Sequence, residues 1–203
     1  MDPSSIRSKQ EIGVGLLGVG GIGSRVVDAI ISHEDQLYSH SHPRFVIKKA
    51  LVKDPNKKRS IRLSDDLITT DADELISADD IEIIIEVMGG EHPAYELITS
   101  ALSNGKHVVS ANKEVIAKRG ADLARIAQEN NAHIFFEASV GGGIPVINSL
   151  TKDFQGERIS SIRSIINGTT NYILTNMGFL GKTFPEALEE AQNLGYAEPD
   201  PSN

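Results

Sequence analysis

Apolar residues in the first 140 positions fall into short continuous runs, separated by stretches of helical periodicity. The run at 11–17, EIGVGLL, reads as a buried strand, because a parallel strand covered on both faces loses the apolar–polar alternation of a half-exposed one. A glycine turn follows it, and then Ile22, Val26, Val27 and Ile30 recur at near 3.6-residue spacing, which predicts a helix. The unit then repeats. FVIKKALV (45–52) reads as a second strand ending near Lys53, DADELIS (71–77) as a short helix with Asp71 as its cap, and IEIIIEVMGG (81–90) holds the most emphatic buried strand. Pro93 suits a first helical turn; Tyr95, Ile98, Ala101 and Leu102 form its apolar stripe; Asn104 and Gly105 stop it. HVVSA (107–111) is the next strand, and a helix over ADLARIAQENN (121–131) leads to another, HIFFEASV (133–140). Such alternation predicts an α/β fold built on a doubly wound parallel sheet.

The texture changes from Gln155. QGERISSIRSIING (155–168) reads as a strand outside the first sheet's rhythm, TTNYILTNM (169–177) as a helix start, and TFPEALEEAQNLG (183–195) as a helix with a Thr183–Glu186 capping box and a stop at Gly195. We therefore expect a first domain over 1–150 and the beginning of a second, incomplete α+β domain over 151–203. The composition is that of a soluble globular chain, 39% hydrophobic and 24% charged. No apolar run reaches the roughly 18 residues that a membrane span needs. A net charge of −8 argues against a broad footprint on nucleic acid. The absence of cysteine removes disulfides, thiol nucleophiles and zinc–thiolate sites and suits the cytoplasm.

The chemistry concentrates in turns at the ends of the expected strands. Gly18, Gly20 and Gly23 match GxGxxG between a strand and a helix, the context in which that spacing binds a dinucleotide. The first glycine permits the tight turn, the second lets a pyrophosphate approach the backbone, and the third lets the helix pack close. At the end of the second strand an acidic residue favours NAD and basic ones favour NADP. This chain offers Lys53 and Asp54 together, with Lys57, Lys58 and Arg59 beyond, which tilts the expectation toward NADP. Gly89 and Gly90 form a side-chain-free turn where a nicotinamide ribose could rest against backbone, or else an ordinary strand-to-helix turn. Lys113, at another strand's end, is either a positive charge for a carbonyl or carboxylate or a surface lysine that starts a helix. Glu137 beside Gly141, Gly142 and Gly143 offers oxygen donors for a hard cation. The histidines His33, His40 and His42 lack ligand spacing.

Taken in order, GVGGIG, the ANK tripeptide, EASVGGGIP, INGTTNYIL and GYAEPDP resemble homoserine dehydrogenase over nearly the whole chain. The resemblance implies a Rossmann dinucleotide domain followed by a substrate and dimerisation domain. The implied reaction is NADP- or NAD-dependent interconversion of L-homoserine and L-aspartate 4-semialdehyde, on the way to threonine, methionine and isoleucine. It implies a homodimer in the complete protein. By the same resemblance Val19, Gly20, Gly21 and Ile22 lie on the cofactor phosphates and Lys53 near the adenosine ribose, while Lys113 stands near nicotinamide and substrate. Glu137, Val140, Gly142 and Ile144 match a sodium site, Gly195 a cofactor contact, and Glu198 the glutamate that holds the substrate's amino group. Another nicotinamide-dependent semialdehyde or sugar reductase would share the logic of the first 110 residues but has no reason to carry EASVGGGIP and NGTTN together. A non-catalytic dinucleotide-binding module would need only the first 150.

The family's aspartate and general-acid lysine would follow Asn203, so the 203 residues are expected to be the N-terminal part of a longer enzyme. They should then bind NADP(H) yet turn over poorly. Full-rate homoserine oxidation by this chain alone, followed as nicotinamide absorbance, would overturn that expectation.

Overall fold

In a computed structural model of the chain, residues 11–32, 43–164 and 167–197 are described. They form two compact units, Met1–Ser139 and Val140–Asn203.

The first unit is a parallel sheet of six strands, β1 (Glu11–Leu17), β2 (Arg44–Leu51), β3 (Ile68–Thr69), β4 (Ile83–Glu86), β5 (His107–Ser110) and β6 (Ile134–Phe135), in the order β3-β2-β1-β4-β5-β6. This is the doubly wound Rossmann arrangement, and the chain reverses its direction of travel across the sheet between β1 and β4. Both faces of the sheet are covered, and the side-chain alternation within β1 shows how. Leu16 joins Val14, Val27, Ile47 and Ala50 in one apolar cluster, while its neighbour Leu17 joins Ile84, Ile98, Leu102 and Leu123 in the other. The helices α1 (Gly21–Ser32), α2 (Asp73–Ile76), α3 (Ala94–Ser103) and α4 (Lys113–Glu129) connect the strands.

Within the first unit several elements depart from the sequence expectation, which does not include the two-residue β3. Ile22 is 57% exposed and does not join the buried stripe of α1, because it lies in the first turn, past the sheet's edge. The helix expected over 121–131 begins at Lys113 and runs through Gly120. The roughly 1 kcal/mol that an interior glycine costs is offset by side chains buried on either side of it, Val115 before and Leu123 and Ala127 after. The last strand is only two residues long, because Phe136 turns its carbonyl to the amide and hydroxyl of Ser139 and so closes a 3-10 turn over Glu137–Ser139.

In the second unit, α5 (Gly168–Leu180) packs on α6 (Phe184–Asn193) around Ile173, Ala187, Ala191 and Ala197. Asn167 caps α5 by accepting from Thr170 N at 2.9 Å. Thr183 donates both its amide and its hydroxyl to Glu186, the expected box. No strand forms over 157–164 among the described residues, and that segment is exposed. A strand needs a partner for its backbone groups, and β-branched residues such as Ile159 and Ile162 do not supply one.

The loop before β4 shows what locks the sheet's lower edge. A Cβ on Gly13 would fall 1.7 Å from Asp80 O, so this backbone presses on β1 itself. Buried Lys106 stitches the same loop, donating to the carbonyls of Ala78 and Ile81, each at 2.6 Å. Burial pulls its ammonium below the usual lysine range, against the attraction of Asp79 and Asp80. Lys106→Met should leave both carbonyls without that donor and lower stability by about 1–3 kcal/mol. A urea unfolding midpoint that falls at constant m-value is the expected readout.

Candidate functional site

The carboxyl ends of β1 and β4 meet at the reversal in strand order, where an open α/β sheet leaves a crevice. The chain leaves β1 through Gly18, whose φ of +100° only glycine adopts without strain. The Gly18 amide donates to Leu51 O and the Val87 amide to Leu17 O, each at 3.0 Å, so this turn is moored to the strands on both sides. A Cβ on Gly23 would stand 2.3 Å from Gly18 O, a contact that only a bare α-carbon permits. Gly20 is the opposite case. It is exposed, and nothing lies within 4 Å of where its Cβ would be. Gly21 and Ile22 are exposed beside it, while Val19 turns into the core. The first amides of α1, at Gly21, Ile22 and Gly23, have no preceding helical turn to donate to. Open backbone at the positive end of a helix dipole fits a diphosphate.

Beyond β2, Lys53 is exposed. Asp54 Oδ1 accepts from Asn56 N at 2.9 Å, and Arg59 donates to the carbonyls of Asp54 at 2.6 Å and Lys57 at 2.9 Å. Both side chains therefore hold their own loop in shape, which leaves Lys53, Lys57 and Lys58 as the exposed cations of the cluster.

At the end of β4, Gly89 and Gly90 both have positive φ, 78° and 77°. Their turn hangs on Glu86, which is fully buried. Glu86 accepts from Met88 N at 2.8 Å, from Ser110 Oγ at 2.6 Å and from Asn112 Nδ2 at 3.3 Å. Asn112 Nδ2 also donates to Gly90 O at 2.7 Å, and its Oδ1 accepts from the Glu114 and Val115 amides, capping α4. The first residue of that helix is Lys113, exposed at the carboxyl end of β5. On the outer side Glu91 receives Lys118 at 3.0 Å and Arg119 at 2.8 Å, which hold its carboxyl group below the usual range. Sequence reasoning singled out Gly89 and Lys113 but missed Glu86 and the capping role of Asn112. A lone carboxylate interrupting an apolar parallel strand just before Gly-Gly was the available signal.

The remaining candidates lie elsewhere. Half-buried Glu137 opens the turn that closes the first unit, whereas Val140, Gly142 and Ile144 belong to the second. Gly195, with φ +77°, follows α6 and donates its amide to Gln192 O. Glu198, His33, His40 and His42 lie outside the described residues. Among the described residues, no three His, Cys, Asp or Glu side chains are grouped to hold a metal, and no helix is long and apolar enough to cross a membrane.

Comparison with known proteins bears on the same residues. A family model described as homoserine dehydrogenase, NAD binding domain, matches residues 18–137, and one described as homoserine dehydrogenase matches 145–203. The chain is 44% identical to the homoserine dehydrogenase of Bacillus subtilis (strain 168) over 192 residues, 95% of this chain but 44% of that relative. It therefore spans less than half of that relative's length. Among solved structures, a homoserine dehydrogenase from Thiobacillus denitrificans superposes with a TM-score of 0.80 at 37% identity, over 95% of this chain and 44% of that one. A hyperthermophilic archaeal homoserine dehydrogenase in complex with NADPH gives 0.77 at 29% identity, over 95% and 64%.

The two inner glycines should separate fold from recognition. Gly20→Ala is expected to change stability by no more than the ~0.5 kcal/mol of an ordinary surface change. Gly23→Ala should lower stability by about 1–3 kcal/mol, because its methyl meets a carbonyl that cannot move aside. Thermal melts of the two variants, side by side, read the difference.

Proposed function

The chain belongs to the homoserine dehydrogenase family, and from that premise we propose that residues 18–23 hold the diphosphate of a nicotinamide dinucleotide in an enzyme that interconverts L-homoserine and L-aspartate 4-semialdehyde. The observation that carries the reading is the open backbone at Gly20 in front of the first amides of α1. Val19 supports the loop from the core side, and Gly20, Gly21, Ile22 and Gly23 supply its amides. When bound, the reduced nicotinamide supplies a hydride to the aldehyde carbon.

Lys113 is proposed to act at the substrate oxygen. An aldehyde carbonyl on its way to an alcohol gathers negative charge, and a nearby ammonium stabilises that charge. Its position supports the role. A lysine as the first residue of a helix sits against the dipole's preference for anions there, so helix stability gives no reason for it. Glu198 is proposed to hold the substrate's ammonium group and Gly195 to touch the cofactor, both on sequence grounds. Sodium bound by oxygens of Glu137, Val140, Gly142 and Ile144 belongs to the same proposal, supported by a donor set of one carboxylate and three carbonyls. NADP is proposed over NAD because Lys53, Lys57 and Lys58 stay exposed while Asp54 is engaged in its own turn. A cytoplasmic homodimer is proposed for the complete protein.

Titration with NADPH, read as enhanced nicotinamide fluorescence, tests the reading. The chain should bind NADPH more tightly than NADH, and Gly20→Ala should weaken NADPH by about tenfold or more with an unchanged melting temperature. Equal NADPH affinity in parent and variant would remove the loop from cofactor binding.

A further inference from the structure

Glu86 is the most deeply buried acidic side chain among the described residues, and nothing in the reaction requires it so far. Moving a carboxylate out of water is costly unless it is well partnered, and an apolar residue of similar size would fill the same space in a parallel sheet without that cost. No lysine or arginine ion-pairs with Glu86 among the described residues. Its partners are instead the structural units of the proposed nicotinamide end. Oε1 takes Met88 N, the entry to the Gly89–Gly90 turn, and Asn112 Nδ2, from the residue that caps α4 just before Lys113. Oε2 takes Ser110 Oγ at the end of β5, and that hydroxyl in turn accepts from Asn112 N at 3.1 Å. Asn112 closes the loop by donating to Gly90 O. One carboxylate thus joins the carboxyl ends of two adjacent strands, a glycine turn and a helix start.

We propose that Glu86 is a positioning residue for the nicotinamide half of the cofactor, fixing the Met88–Gly90 turn and the Lys113 end of α4 as one rigid wall. The inference rests on the cofactor reading above. It separates from mere fold support because the adenine and diphosphate end is built from other residues, Gly18 to Gly23 and the β2 terminus. Loss of the Glu86 tie should therefore be felt only by ligands that carry a nicotinamide.

The test compares NADPH with 2′,5′-ADP, which has the phosphorylated adenosine but no nicotinamide, by calorimetric titration of the chain with each. Glu86→Met keeps the volume and removes both acceptors. It should weaken NADPH by about tenfold while 2′,5′-ADP stays within about twofold. Glu86→Gln keeps an oxygen for Met88 N and Asn112 Nδ2, and the Ser110 hydroxyl can turn to accept the new amide. It should recover NADPH affinity to within about threefold of the parent. Should Glu86→Met fail to fold, Asn112→Ser takes its place, since serine still caps the helix but cannot bridge to Glu86 and Gly90; the same nicotinamide-selective loss is expected. Equal losses for both ligands, an unchanged NADPH affinity, or a Gln variant as weak as the Met variant would overturn the proposal. A parent chain that binds both ligands, with a Glu86→Met variant that shows none of this selectivity, refutes the Glu86 role alone. One that binds neither ligand takes the cofactor reading down with it.

Discussion

A carbonyl oxygen 2.3 Å from where Gly23 would carry a Cβ is the constraint on which the first unit depends. That oxygen belongs to Gly18, which itself needs a positive φ to turn the chain out of β1, so neither end of the contact tolerates a side chain. With both positions bare, α1 starts close against the turn, and its first amides lie beside the open backbone of Gly20. The proposed recognition surface is consequently main chain. A net charge of −8 is then no obstacle to the proposed binding of a diphosphate, because oriented amides and a helix terminus supply a local positive potential that side-chain composition does not report.

What could be read from the sequence followed from how local each cause is. Continuous apolar runs punctuated by glycine turns specify buried parallel strands, so a doubly wound parallel sheet was legible before any coordinates, whereas the two-residue edge strand β3 carries no such run and was not. The capping box at Thr183 and Glu186 was legible for the same reason, since it involves residues three apart. The segment 155–168 was not. Its β-branched residues state a preference that only a partner strand could satisfy, and strand formation is decided by that partner.

The candidate site divides along the same line. Glycines announce themselves because their reason is steric and close in sequence, whereas Glu86 draws its role from Ser110 and Asn112, more than twenty positions away. Charge was the least legible property of all. Arg59 belongs to the densest basic cluster of the chain, yet its guanidinium is spent on carbonyls of its own loop, and the neighbouring Asp54 carboxylate is tied to the next turn amide. Counting charges in a loop overstates what remains for a ligand, because short loops use their polar side chains to replace backbone partners that a helix or sheet would have given.

The turn after β4 is fastened to α4 twice, and the two fastenings differ in kind. Outside, Glu91 meets Lys118 and Arg119, whose side chains are about half exposed, and salt and solvent screen such pairs until each contributes little. Inside, Asn112 and Glu86 are removed from water, so their hydrogen bonds face neither competition nor screening, and losing one partner would strand a buried polar group. The rigidity of this wall therefore resides in the inner fastening. Arg119 also stacks over Tyr95, and Tyr95 donates to Asp122, so the outer network binds α3 to α4 along its length rather than acting on the turn alone. A helix held in this way along its flank and at its cap has little freedom to shift its first residue. The backbone of Lys113 is therefore fixed before any ligand arrives, which is what its proposed role in stabilising a developing charge would require.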